Sequence, residues 1–422
     1  MSNIKFIIPI VIQIFVVVIF SFNGNSNLIW LLVLAINVIY LERFVKAIPL
    51  FIMFLFFFLY TVELRNYFIN GYYISAWFSF QNAYYLNKAM VLNGFFLVSF
   101  GSALYNVRSF NNFSIKSSPD RVVFYVSLLL FVICTTYGLS GDTVFTTKYG
   151  AGEINKSPLF EYSLAVLFVS IIHCNRSKLQ MVLLYTCVLY YCLKSTIYGG
   201  RVEVIQIVLL FSYFFTNFFK NWSLKRLYIS IFLSMALILI VGKIRHDPTL
   251  IINLVNDPLS IFFQKPLEGR SIVSTNYGDV LQSSARMIGL SETGHWSLGF
   301  RLESFLSYLF NIFLYGTEAK SYSNLALLDQ KTFGAGGGGL ISAYFYVWLG
   351  WFGPIIAGTI IGYIIRYASR SRNNYIIVYA FCILFTFPRW YAYTPIGFTK
   401  LCLITTMLYF VTFKIKKMLS KI

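Results

Sequence analysis

Charge is what this sequence has least of. Only 12% of its 422 residues are Asp, Glu, Lys or Arg, against about 25% in an ordinary soluble domain, and that shortage excludes a soluble globular fold. Acids are the scarcer sign, 15 against 34 basic residues, and histidine occurs three times. Cys134, Cys174, Cys187, Cys192, Cys382 and Cys402 all fall in or beside apolar runs, so neither a disulfide framework nor a thiolate metal site is expected. No serine–histidine–aspartate pattern, nucleotide loop or zinc motif occurs, and no metal or cofactor is expected.

What is present is apolar and comes in blocks. Hydrophobic residues make up 58% of the chain and aromatics 19%. A helix needs about 20 mostly apolar residues to cross a bilayer, and twelve stretches approach that length: 4–22, 28–41, 48–62, 89–106, 122–140, 158–173, 179–194, 203–219, 227–243, 340–365, 375–388 and 396–413. The first is followed by SFNGNSN rather than a small-residue cleavage site, which favours a retained helix over a removed signal peptide. The expected fold is all-α, a polytopic integral membrane protein of about 12 transmembrane helices (11–13). A bundle of spans 1–9 would occupy 1–243, a loop region 244–339, and spans 10–12 would follow in 340–422.

Orientation follows from the basic residues of the short connections. With the N-terminus inside, more than half of the 34 Lys and Arg fall on the inner side, among them Arg43, Arg108, Arg121, Arg176, Arg226, Arg366 and Arg370, and both termini are cytoplasmic. Apart from Glu42 and Asp120, the acids lie outside or near outer helix ends. The net charge of +19 is therefore mostly a topology signal, and no nucleic-acid partner is expected.

Chemistry in water would belong to the outer segments, above all 244–339, since structureless loops of such length are uncommon. Within it, apolar residues recur at helical spacing from Leu302 to Leu314, predicting a helix on the membrane surface or packed over the bundle. Arginines stand singly here and at nearby helix ends: Arg201, Arg245, Arg270, Arg286, Arg301 and Arg389. Each can snorkel; alternatively several converge on an anionic headgroup, because guanidinium forks bind phosphate oxygens in pairs. Arg201 sits in STIYGGRVEVIQ with Glu203 beside it, which reads either as a tight turn with an Arg–Glu pair or as a phosphate-binding corner. Gly334 and Gly336–Gly339 precede the tenth span without the Lys-Ser/Thr of a nucleotide loop, leaving a hinge or a backbone nest for an anion. Gly350, Gly353, Gly358 and Gly362 predict close helix packing. His246 and His295 lack metal-ligand spacing; if chemistry occurs here, the candidate proton acceptors are His295, Glu292, Glu303 and Asp247. Asp142 and Glu153, in GDTVFTTKYGAGEINK, read as sugar contacts or as solvated loop.

GGRVE opening a mid-chain span, a long outer loop late in the chain, GGGGLISAYFYVWLGWFGPIIAG after it and FPRWYAYTP before the last span together resemble the O-antigen polymerases, the Wzy-type oligosaccharide repeat-unit polymerases. The resemblance implies a glycosyltransferase of the bacterial inner membrane whose loop is periplasmic. Its substrate would be undecaprenyl-pyrophosphate-linked oligosaccharide in the lipid bilayer, with a chain-length regulator as partner. A hydroxyl of an incoming repeat unit would attack the anomeric carbon of the growing chain and lipid pyrophosphate would leave, so no cofactor is implied. Carried over by motif, the substrate-binding arginines would be Arg201, Arg245 and Arg389, with Arg270, Arg301 and Glu203 as further contacts. One departure stands: no arginine in this chain has a glycine after ten intervening residues, a spacing seen in paired outer loops of some members. The rivals are an O-antigen ligase of similar architecture, which the long loop and His295 would suit, and a flippase or other transporter, which should carry internal repeats and midplane charges.

Overall fold

A computed structural model describes residues 26–45, 47–70, 83–107, 118–143, 154–198, 200–215, 276–313, 322–333 and 338–419, with 115 and scattered positions between 11 and 19. The described chain is mostly helical. In order it runs α1 (Ser26–Phe44), α2 (Ile48–Asn70), α3 (Ala83–Leu104), α4 (Arg121–Tyr137), β1 (Leu139–Gly141), β2 (Ile154–Lys156), α5 (Pro158–His173), α6 (Lys178–Ile197) and α7 (Arg201–Phe215). It continues with α8 (Asn276–Glu292), α9 (Leu298–Leu309), α10 (Leu325–Phe333), α11 (Ile341–Leu349), α12 (Phe352–Ala368), α13 (Asn374–Ala392), a π-turn at Gly397–Leu401 and α14 (Cys402–Leu419). Asn374–Ala392 is the one described helix long and apolar enough to cross a membrane by length and composition. Expected spans 2–8, 11 and 12 coincide with helices; span 9 and most of span 1 lie outside the described residues.

Contacts divide the chain into two compact units, one of residues 1–114 and 266–402, the other of 115–265 and 403–422. In the first, α3 is the hub, packed along α12 and against α1, α8 and α11. Glycine makes the α3–α12 approach close. A Cβ at Gly358 would lie 2.5 Å from the Phe96 carbonyl oxygen, and one at Gly362 2.8 Å from that of Phe100, both too near for any side chain. This is the small-xxx-small device of tightly apposed helices.

In the second unit α4 and α5 pack side by side and are joined by the antiparallel β1–β2 ribbon. Side-chain caps set the starts: Asp120 accepts from the Val123 N–H, Ser157 from Leu159 with Pro158 following it, and Ser177 from Gln180. The Phe160 and Tyr191 rings stack at 4.6 Å.

Three features depart from the sequence reading. The tenth span, expected as one helix over 340–365, is two, α11 and α12, because Gly350 adopts φ 65°, a conformation that disfavours any residue with a Cβ. The four flanking residues, Trp348, Leu349, Trp351 and Phe352, are apolar, so hydropathy runs straight through the break. Second, 244–339 is not simply an aqueous loop. Its helix α8 packs against α2, α3, α10 and α11, and every residue from Val280 to Ser291 is buried, including Gln282, Ser283, Ser284 and Arg286. Third, α9 forms near the expected place, capped by Ser297, but of the two expected settings its leucines do not take the one packed over the bundle. Ser304, Ser307 and Tyr308 are buried, whereas Leu298, Leu302, Leu306 and Leu309 are exposed.

Candidate functional site

In the first unit two polar clusters flank α11. On one side, Arg286 of α8 grips Asp329 of α10: its Nε lies 2.9 and 3.1 Å from the two carboxylate oxygens, and a terminal nitrogen lies 2.5 Å from Oδ2. Ser283 donates to Oδ2 at 3.0 Å. Both charged side chains are almost wholly buried, so the pair must be closely matched to offset desolvation. Burial pushes the Asp329 carboxyl above the usual carboxylate range, and the Arg286 and Ser283 hydrogen bonds offset part of that rise.

The same cluster gathers the late motifs. Tyr344 Oη sits 2.7 Å from Asn324 Oδ1 and 3.2 Å from the Tyr393 carbonyl, and accepts from the Ala326 N–H. The Gly339 N–H donates to the Tyr393 carbonyl at 3.1 Å and the Leu340 N–H to Ser284 Oγ at 2.8 Å. A Cβ at Gly338 would fall 2.4 Å from Tyr393 Cα, and one at Gly339 2.3 Å from the Met287 methyl. Gly338 and Gly339 therefore serve close approach, and the 339 and 340 amides donate within the protein; Gly334, Gly336 and Gly337 lie outside the described residues. Arg389 lies in the last turn of α13, its guanidinium carbon 5.4 Å from the Tyr393 ring centre.

On the other side of α11, Lys88 of α3 is ion-paired with Glu292, the last residue of α8. Glu292 Oε1 also accepts from the Tyr346 hydroxyl. The Lys88 ammonium lies 4.7 Å from the Trp351 ring, 5.0 Å from Tyr346 and 5.5 Å from Tyr84. Burial and the neighbouring Glu292 charge push the Tyr85 phenol up. Arg301 donates through Nε to the Val347 carbonyl.

In the second unit, Glu203 is buried and ion-paired with Lys156 of β2, which also lies 3.6 Å from Glu161. The second glycine of GGRVE sits tightly here: a Cβ at Gly200 would come 2.8 Å from Glu203 Oε2 and 2.5 Å from Ser195 Oγ. Arg201 opens α7 through its backbone; its side chain is outside the described part.

The residues singled out from sequence divide between the two units and the undescribed segments. Glu292, Arg301 and Arg389 belong to the first unit, Arg201 and Glu203 to the second, and Arg245, Asp247 and Arg270 lie outside the described residues. Glu153 and His246 fall outside them too, and Asp142 follows β1. His295 and Glu303 are exposed, and no hydrogen bond or ion pair joins either to Glu292 among the described residues. Sequence reading missed Lys88, Lys156, Asp329, Tyr344 and Tyr346. The available signal was a basic or acidic residue set within apolar surroundings, which in a helical bundle must find a partner. Comparisons with protein-family models, with curated proteins and with solved structures return no match to this chain.

Proposed function

We propose that the chain is an integral membrane glycosyltransferase of the O-antigen-polymerase type. It would join undecaprenyl-pyrophosphate-linked oligosaccharide repeat units at the periplasmic face of a bacterial inner membrane. Membrane residence is supported by helices whose outward faces are apolar and whose inward faces mix small and polar residues with large apolar ones. In α4, Val122, Val126, Leu129 and Ile133 are exposed while Ser127 and Thr135 are buried; α6 exposes Leu179, Val182, Leu189 and Leu193 and buries Gln180 and Ser195. α9 repeats the pattern, and α12 exposes Phe352, Ile356 and Ile360 while burying its glycines. A helix in water turns the other way.

The observation that carries the enzymatic reading is the meeting of two motifs of the resemblance. The glycine entry to α11 and the Arg389–Thr394 stretch are joined by the Gly339 to Tyr393 hydrogen bond, against the buried polar helix α8. In the reaction, the acceptor hydroxyl oxygen bonds to the anomeric carbon, the bond from that carbon to lipid pyrophosphate breaks, and the hydroxyl proton passes to a base. The diphosphate gains charge as it leaves, and arginine is suited to stabilise it; Arg389 and Arg301 are the described candidates, with Arg201, Arg245 and Arg270 as further ones. Of the proton acceptors read from sequence, Glu292 is the one with an ion pair and a hydrogen bond among the described residues, and so the first candidate base.

Deletion of the gene in its host, followed by separation of surface glycans by length, tests this. A polymerase loss leaves single repeats on the core. Loss of a ligase leaves bare core and accumulates lipid-linked chains, and unchanged long chains remove the glycan assignment altogether.

A further inference from the structure

The Lys88–Glu292 pair has a geometry that its own stability does not require. Lys88 is buried, with three rings around its ammonium and one carboxylate oxygen as its acceptor. Both hydrogen bonds to Glu292 fall on Oε1; among the described residues none falls on Oε2. The Glu292 side chain keeps 25% of its surface exposed and Tyr84 keeps 49%. Trp351, edge-on to Tyr346 at 5.6 Å, is half-buried. A buried ammonium cannot move away from its counter-charge without a large desolvation cost, so the carboxylate is held in place. One acceptor oxygen is thereby presented at an opening beside aromatic faces.

Three classes of ligand could meet such an opening, and charge decides among them. An anion would face the Glu292 carboxylate, while the Lys88 ammonium is already engaged. A second cation would be repelled by the Lys88 ammonium, which lies beside the same rings. A neutral ring carrying hydroxyl donors on its edge and C–H bonds on its face satisfies both features, the hydroxyl to Oε2 and the face to an aromatic ring. We propose that Glu292 Oε2, with Tyr84 and Trp351, forms a subsite for a sugar ring of the glycan, held in position by Lys88 and Tyr346. The proposal deepens the polymerase reading and rests on it for the source of the sugar.

The test uses the full chain in detergent micelles and, as probe, the oligosaccharide released by mild acid from the host's own lipid-linked repeat units, followed by saturation-transfer NMR. Ring-proton signals should appear with the parent chain. Tyr84→Ala, at a half-exposed position and checked for folding by its thermal midpoint, should weaken binding by about fivefold, the size expected of one aromatic contact. Glu292→Gln should weaken it as well, and inorganic pyrophosphate should not compete. No binding to the parent chain, equal binding by the folded Tyr84→Ala variant, or displacement by pyrophosphate overturns the subsite. Glycan length in the deletion strain reads separately. Normal length together with Tyr84-dependent binding would remove the polymerase and keep the sugar site, and single repeats with Tyr84-independent binding would do the reverse.

Discussion

Removing the Asp329 carboxylate would leave the Arg286 guanidinium buried without the carboxylate it grips, and breaking a buried pair from one side costs about 3–5 kcal/mol. Asp329→Ala is therefore expected to lower the thermal midpoint of the purified chain sharply. Replacing both partners, Arg286→Met with Asp329→Leu, should recover most of the loss, since an apolar pair avoids the desolvation of two ions; a double variant as unstable as the single one would show that the pair does more than balance charge. Residue by residue, the sequence was legible for type and poorly legible for partner. Glu203 was noted beside Arg201, yet its carboxylate is paired with Lys156, 47 positions earlier. No local spacing encodes a contact made by folding a ribbon back onto a helix end.

Among the elements, α12 depends most on glycine. Gly350 at φ 65° ends α11, and Gly350→Ala places a Cβ in a backbone region almost reserved for glycine at a cost of about 1–3 kcal/mol, expected as a fall in thermal midpoint with glycan phenotype retained. Gly358→Leu should be far worse, because the added side chain would meet the Phe96 carbonyl oxygen, the Phe100 amide and the Ser99 Cβ. Loss of folded protein on size exclusion is the expected result, and normal behaviour would mean that α3 and α12 separate freely. The sequence marked these glycines for close packing, which holds at 353, 358 and 362, and missed that Gly350 instead breaks the helix. An apolar run reports burial or lipid, not direction. For the same reason α8 was read as part of a loop: its serines and Gln282 lower its hydropathy although it lies inside the first unit.

For the whole molecule, the membrane assignment predicts which faces meet lipid. Single cysteines at Leu129, Leu189, Leu302 and Ile356, each carrying a fluorophore, should be quenched by lipids brominated along the acyl chain and spared by aqueous iodide. The reverse at Leu302 alone would place α9 in water and return 244–339 to an aqueous loop; the reverse at all four would refute membrane residence. The sequence by itself determined that the chain is helical, where most helices begin and end, and which side chains are too apolar for water, because these follow from local propensity, capping and composition. Only the tertiary structure decided that α8 is interior, that α9 turns its leucines outward, and which charges neutralise one another. Those outcomes depend on contacts between residues far apart in sequence, such as Lys88 with Glu292 across 204 positions, where desolvation rather than spacing selects the partner.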